Sequence, residues 1–372
     1  MEHIEFAQTV PVVAEADVLV CGGGPTGIAA ALAAARLGCR TALVERYGTL
    51  GGMATVGLVG PLSNYNANGV RILGGIPEEF IDDLEELGGA IPHLPGGYVP
   101  FEAEMLKILA PRKLKTAGVQ LMLHSTVVDA VRDQARLTHV VISNKAGFRG
   151  VRARVVIDCT GDADVAFRAG APYEQSPIDR MQPMTMMFVL GNVDTESLGG
   201  LLMKPGGTPT THPAIRERLA AAVERGELPP FGGPWIQWGS TMRPGYVSIN
   251  MTRMRGDATD PDTLTEAELR LREDAWQFFS FLRREIPEFS KAVLVNTGFQ
   301  VGIRETRRIV GEYQLTKEDV LNPKDFPDTI CLGSHPIDVH HSEGTGQSLM
   351  WLKRPYRIPY RCLLPKGISN LL

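Results

Sequence analysis

DVLVCGGGPTGIAAALAAARLGCRTALVER, residues 17–46, spells strand, glycine turn, helix and strand in that order. Residues 17–21 are a short apolar run, the length of one buried parallel strand. Gly22, Gly24 and Gly27 complete G-x-G-x-x-G directly after it. The first glycine permits a tight turn, the second lets backbone approach a pyrophosphate, and the third lets the next helix pack closely on the sheet. Residues 29–35 are nearly all alanine and form a thin helix readily. The start of that helix offers free N–H groups and a positive dipole end to a diphosphate. Gly38 stops the helix, residues 41–44 are a second strand, and Glu45 stands about 20 residues past the glycines, where a carboxylate meets a ribose 2′-hydroxyl. The glycine motif alone is weak evidence; with strand, helix, second strand and acid around it, it predicts a dinucleotide site. The alternative is a glycine turn that holds nothing. An acid at position 45 argues against a 2′-phosphate, hence against NADP.

The rest of the composition is ordinary for a globular chain. The sequence has 372 residues, 44% of them hydrophobic and 22% charged, which is enough for roughly two domains and a sizeable core. A net charge of −4 gives no attraction to nucleic acid or to an anionic membrane. No apolar run approaches the roughly 20 residues of a membrane span, and MEHIEFAQTVPVVAEAD has acids where a secretory signal would have its apolar core. Cysteines at 21, 39, 159, 331 and 362 are odd in number, widely spaced and never C-x-x-C. They predict reduced thiols in a cytoplasmic protein with no zinc site and no redox dithiol.

Past Arg46, glycines 48, 51, 52, 57 and 60 make a loop where backbone can meet a flat ligand, or else a flexible surface loop. Apolar spacing predicts helices over 76–87 and 102–115. Valine-rich segments at 119–124, 127–131, 137–143 and 147–157 predict a strand and then a three-strand meander ending in a buried strand. That strand runs into DCTGDAD, residues 158–164, a tight turn at the carboxyl end of a sheet, the edge at which open α/β sheets bind ligands. Asp162 there fits a polyol acceptor and equally an N-cap of the helix 165–169. Residues 181–190 are a methionine-rich strand, better suited to an adaptable core than to cofactor contact. Pro213 and Gly226 bracket a helix over 214–225. Strands follow at 235–238 and 246–254, and Thr263 with Glu266 has capping-box spacing for a helix to about 285. Residues 291–303 return to strand.

Two clusters carry possible chemistry. Arg304, Arg307 and Arg308 fit a salt-bridged surface or a guanidinium fork for a carboxylate. In SHPIDVHHSEG, an extended chain puts Asp338 and His340 on one face and His341 on the other. Such a His/Asp cluster could bind a metal, though its spacing is a poor match to an open metal site; general acid–base service and ordinary loop histidines fit better. Residues 356–364 are again strand-like.

DVLVCGGGPTGIAAALAAARLG, ERYGTLGGMAT, VVIDCTGDADVAFRAGAPYE, GIRETRRIVGEY and IPYRCLLPKGISNLL together resemble, over nearly the whole chain, the FAD-dependent oxidoreductases of the glutathione-reductase-like flavoprotein superfamily. The resemblance implies an α/β protein: a Rossmann-like three-layer FAD/NAD(P)-binding domain over 1–172, a second α+β substrate domain over 173–355, and a return segment over 356–372. It implies that Gly22, Gly23, Gly24, Pro25, Thr26 and Gly27 hold the FAD diphosphate. Glu45 would bind the ribose and Arg46 would lie near the adenine. Gly51, Gly52 and Met53 would pass the ribityl chain and flavin, and Val127 would offer backbone to adenine. Thr160, Gly161 and Asp162 would close the pocket. Arg304 and His340 or His341 would face the substrate side of the flavin as catalytic residues. Members of the group continue after a segment like GISNLL with a strand and a flavin-facing helix. Ending at Leu372, this sequence is expected to leave a sheet edge open and to hold FAD less firmly. The leading expectation is a flavin enzyme passing a hydride to or from a small organic substrate, with electrons from the substrate, free NAD(P)H, or a protein or quinone partner. A truncated, inactive flavoprotein remnant and an NAD-dependent dehydrogenase without flavin are the alternatives.

Overall fold

Strand β1, Val12–Cys21, lies inside a six-stranded sheet with β2, Thr41–Val44, on one side and β6, Gly147–Asp158, on the other, both parallel to it. β3, Gln120–Met122, extends the parallel end beyond β2. The other end is the antiparallel meander of β4, Thr126–Asp133, β5, Arg136–Asn144, and β6, so the order is β3-β2-β1-β6-β5-β4. The computed structural model describes residues 3–63, 66–67, 70–92, 98–198, 213–233, 235–237, 242–341 and 346–372.

Side chains alternate across the strands and so build two cores. Val20 and Leu43 pack against helices α1, Pro25–Arg36, α2, Ile76–Glu86, and α3, Ala103–Thr116, through Ile28, Leu32, Phe80, Ile81, Leu84, Leu109 and Leu114. Leu19, Cys21, Ala42 and Val44 face the opposite way, into a core shared with Leu137, Val140 and Ile142 of the meander and with Val165 and Ala166. The long β6 curls the meander over that second face, which gives the three layers. The strand expected over residues 17–21 is longer than that: β1 starts at Val12, and its first half pairs with Gly150–Ala153. Val12 and Val13 stay half exposed, so backbone pairing alone makes this part of the strand, and no apolar run announces it.

Asn370 fixes the last residues against this sheet. Its side chain takes the Leu137 N–H and donates to the Leu137 and Arg154 carbonyls. Leu371 then pairs in parallel with Val156, and the Asp158 N–H donates to the Leu372 carbonyl at 2.7 Å. The end of β6 beyond its pairing with β5 is thus bonded at Val156 and Asp158, and Ile368 and Leu371 are buried in the second core.

A second, antiparallel sheet has the order β8-β9-β7-β10. Its strands are β7, Phe188–Gly191, β8, Trp235–Gln237, β9, Val247–Asn250, and β10, Val293–Thr297. Trp238, placed in strand β8 by its sequence, lies outside the described residues, as do Ser342–Gly344 of the histidine stretch. The long helix α6, Pro261–Glu285, shares a core with this sheet and with α5, Pro213–Glu224, built on Phe188, Leu190, Phe231, Ile249, Phe278 and Phe289. Each of these large side chains stabilises the fold by roughly 1.5–3 kcal/mol relative to exposure. The cap of α6 is not Thr263 with Glu266: Asp260 accepts the Thr263 N–H at 2.9 Å, and Pro261 occupies the first helical position. The methionine-rich stretch behaves as core, with Met181, Met184, Met186 and Met187 all buried, though regular strand begins only at Phe188. Among the described residues no helix is long and apolar enough to cross a membrane.

Candidate functional site

The carboxyl ends of β1, β2 and β6 open onto one cleft. It is lined by Gly22, Gly24, Pro25, Thr26, Glu45, Arg46, Gly52, Met53, Val127, Thr160 and Gly161, and also by Val44, Tyr47, Ser125, Thr126, Cys159 and Asp164. Of the residues assigned to a cofactor from sequence, Gly23, Gly27, Gly51 and Asp162 stand behind this lining. Gly27 is the packing glycine: a Cβ there would lie 1.8 Å from the Gly22 carbonyl oxygen. Gly22 adopts φ +104°, and a Cβ on it would meet the Cys159 carbonyl oxygen at 2.2 Å. Turn, helix and the end of β6 therefore close on one another by backbone alone.

Helix α1 starts at Pro25 with Gly24 as its N-cap, and no side chain caps it. Its first N–H groups are left for a ligand in the cleft. Glu45 is buried, and it ties the site together rather than hanging free. Its Oε2 accepts the Gly23 N–H at 2.6 Å and its Oε1 the Tyr47 N–H at 2.8 Å. Each oxygen keeps a second lone pair for a ribose hydroxyl. These features fit FAD: an uncapped helix start for the diphosphate, an acid for the ribose, and Arg46 lying over the Tyr47 ring 4.9 Å from its centre.

The turn after β6 differs from its sequence reading. Asp162 does not cap the following helix α4, Asp164–Arg168. Asp158 does that work: its carboxylate accepts the Thr160 hydroxyl at 2.7 Å, the Thr160 N–H at 3.1 Å and the Ala166 N–H at 2.9 Å. Asp162 instead accepts the Thr306 hydroxyl at 2.7 Å; burial raises its pKa and that hydrogen bond offsets part of the rise. Cys159 lines the cleft, but burial, and then the Asp158 charge, push its thiol up to about 12, so it is no nucleophile at neutral pH.

A strap of residues 300–306 joins this cleft to the second sheet. Gln300 accepts from Arg46 Nη2 at 2.8 Å at one end, and Thr306 donates to Asp162 at the other. Between them Gly302 exchanges backbone hydrogen bonds with Thr185. The arginine cluster divides along this strap. Arg307 pairs with Asp164 and lies over the Phe167 ring, and Arg308 pairs with Glu305, the salt-bridged arrangement. Arg304 turns the other way, onto neutral acceptors: the Thr185 hydroxyl at 2.5 Å, the Pro183 carbonyl at 3.2 Å and Asn250 at 3.5 Å.

His340 joins Arg304, and His341 does not. The ribbon of Ile337–His340 and Gln347–Met350 places His340 Nε2 3.1 Å from Asp338 Oδ2, with Gln182 accepting the His340 N–H at 3.0 Å. His341 is exposed and bonded to the Ser348 hydroxyl. Burial lowers the His340 pKa; Asp338 pulls it back up in part, while the Arg304 and Arg253 charges lower it further. Burial works against the Asp338 carboxylate, yet the His340 hydrogen bond and the surrounding positive charges hold its pKa below the ordinary value. The ring is therefore neutral at pH 7. Nε2–H donates to Asp338, which leaves Nδ1 as a free acceptor.

Arg253 is a member of this cluster that sequence reasoning missed. It is 4% exposed, and none of its three guanidinium nitrogens has a hydrogen-bond partner among the described residues. Burial, and then the Arg304 charge, bring its pKa down to about 10, with Asp338 opposing. Its one signal in the sequence is a lone cation between Met251 and Met254, just past the apolar strand β9.

A family model described as FAD dependent oxidoreductase matches residues 17–372. Digeranylgeranylglycerophospholipid reductase 2 of Methanopyrus kandleri is 30% identical over 200 residues, 47% of this chain and 48% of that protein. Thiamine thiazole synthase of Aeropyrum pernix is 30% identical over 179 residues, 45% of this chain and 63% of that protein. The matches thus span less than two thirds of either curated relative. Among solved structures, the myxobacterial chondrochloren halogenase, an FAD-dependent halogenase, superposes with a TM-score of 0.52 at 15% identity, over 79% of this chain and 64% of its own; at that identity the likeness is one of fold.

Proposed function

We propose, from the premise that this chain belongs to the FAD dependent oxidoreductase family, that it transfers a hydride between bound FAD and a small organic substrate. FAD is the cofactor; when bound it accepts or delivers the hydride. The chain's own residues bind and orient. Gly22–Gly24 and the start of α1 would hold the diphosphate, Glu45 the ribose, and Gly52 and Met53 the passage towards the flavin. The observation that supports the reading is the strap, whose two ends bond Arg46 and Asp162 while Arg304, within it, reaches Asn250 of the second sheet and shares its surroundings with Asp338 and His340.

When a C–H bond next to an O–H or N–H gives up its hydride, the heteroatom must also lose a proton. His340 Nδ1, neutral at pH 7 and oriented through Nε2 by Asp338, is the group we assign to take it, and to return it in the reverse direction. Only one G-x-G-x-x-G follows a strand in this sequence and no C-x-x-C is present, so the second electron partner is an external one. We place the protein in the cytoplasm, in keeping with five free cysteines.

The test is the visible absorbance spectrum of the purified protein before and after heat release, with FAD counted per chain. Near-stoichiometric FAD is expected. A colourless protein that takes up no added FAD would overturn the reading, and retention of NAD instead would favour a dehydrogenase without flavin.

A further inference from the structure

Two arginines in the second half of the molecule lack the anion that such groups normally meet. Arg253 is buried with every guanidinium nitrogen unpartnered among the described residues. Arg304 meets only neutral oxygens, and neither is within salt-bridge reach of a carboxylate among the described residues. The nearby acids are committed elsewhere. Glu305 serves Arg308 and the Gln182 N–H, and Asp338 Oδ2 serves His340. Asp338 supplies one negative charge against two guanidiniums, and His340 is neutral at pH 7. The balance leaves one positive charge unanswered in a desolvated place, an arrangement that destabilises a fold unless a ligand completes it.

The seat of Arg253 is specific as well. Its guanidinium lies against Gly232, where a Cβ would come within 1.4 Å of Nη2 and 2.1 Å of Cζ. Gly232 is itself held by its N–H bond to the Met251 carbonyl. Any other residue at 232 would push the guanidinium from this position. One further orphan sits in the same cluster: Asp338 Oδ1 is buried and accepts no hydrogen bond. Unused donors and an unused acceptor together are the complement of a ligand that carries an anionic group beside a proton donor.

We infer that Arg253 and Arg304 form a monoanion subsite that takes the carboxylate of the substrate, with Asp338 Oδ1 receiving an adjacent O–H or N–H. A single unanswered charge selects a carboxylate over a phosphate dianion, which would overshoot it and meet Asp338 repulsively. The planar fork of a guanidinium matches the two oxygens of a carboxylate. This rests on the proposed flavin chemistry only for the word substrate; the anion site stands on the cluster itself.

The test uses the protein as purified with its FAD, titrated with sodium acetate and sodium benzoate, with sodium chloride and sodium sulfate as controls at matched ionic strength. Melting temperature and the visible flavin spectrum are read together. Carboxylates are expected to raise the melting temperature saturably, beyond either control, and to perturb the flavin spectrum. Arg253→Met, with circular dichroism as the check on folding, should weaken the carboxylate response at least tenfold while raising the melting temperature of the ligand-free protein. Gly232→Ala keeps the charge and only displaces it, and should weaken the response likewise; it decides the matter if Arg253→Met does not fold. An undiminished response in Gly232→Ala and Arg253→Met, or no carboxylate-specific response in the native protein, overturns the subsite. A melting shift without a spectral change sustains the subsite but counts against its place beside the flavin, so the two readings fail separately.

Discussion

The dinucleotide cleft is shaped by glycine backbone and the uncapped start of α1, whereas the cluster around Arg304 is made of side chains drawn from four separated stretches of chain. The first site is made by bringing backbones into contact, and it cannot admit a Cβ at its closest approaches. The second is made by burying full charges, with Gly232 leaving room for the Arg253 guanidinium. A backbone-built site thus fails when something is added, and a site built from side chains fails as well when a charge is removed.

The largest expected effect follows from adding one methyl group at Gly22. Gly22→Ala forces a side chain onto φ +104° and into the Cys159 carbonyl. Strain and overlap together cost about 3 kcal/mol, which predicts FAD binding roughly a hundredfold weaker. Flavin per chain after gel filtration checks this, and a stoichiometric yellow variant would break the contrast. Removal is the matching test on the other side. Arg304→Ala takes away charged hydrogen bonds worth roughly 1.5–3 kcal/mol each and should lower kcat/KM for a carboxylate substrate by about ten- to hundredfold, with FAD content unchanged. Unchanged kinetics would sink the role of Arg304.

A smaller change sharpens the electrostatics. Asp338 is the group that holds the His340 pKa up against burial and the two arginines. Asp338→Asn should therefore move the acid limb of kcat/KM to lower pH and, by releasing the ring from its tautomer, slow turnover by about tenfold. With the neutral ring as the proposed proton acceptor, activity is expected to fall as pH drops through a His340 pKa held below its ordinary value by burial. A pH–rate profile measures both effects, and an acid limb shifted upward would show the assignment wrong. The smallest effect belongs to His341. Exposed, with its ring bonded to the Ser348 hydroxyl, it should change stability and kcat by no more than about 0.5 kcal/mol on replacement by alanine. A large loss would return it to the site.

The same contrast explains what could be read in advance. Gly22 to Glu45 is contiguous, and each residue's part follows from local geometry, so the first strand, turn, helix and acid were legible together. Asp158 was not. A carboxylate two residues before Thr160 is a common turn device, but nothing in sequence chose it over Asp162, four residues further on. The split within the arginine cluster was also hidden, since Arg307 and Arg308 find Asp164 and Glu305 only once the strap is laid down. Arg253 was the least visible, because a buried unpaired cation is the reverse of what burial statistics lead one to expect. The start of β1 at Val12 escaped for a different reason: its pairing with β6 rests on backbone hydrogen bonds that carry no side-chain signature.

The strap from Gln300 to Thr306 also constrains how the molecule can move. Its ends are pinned at Arg46 and Asp162, and its middle is pinned to the second sheet through Gly302 and Thr185. The Phe299 and Gln300 N–H groups also reach the Val56 carbonyl, at 2.7 and 3.4 Å. With these further attachments the strap is a brace rather than a hinge, and it ties the setting of Arg304 to the rim of the cleft.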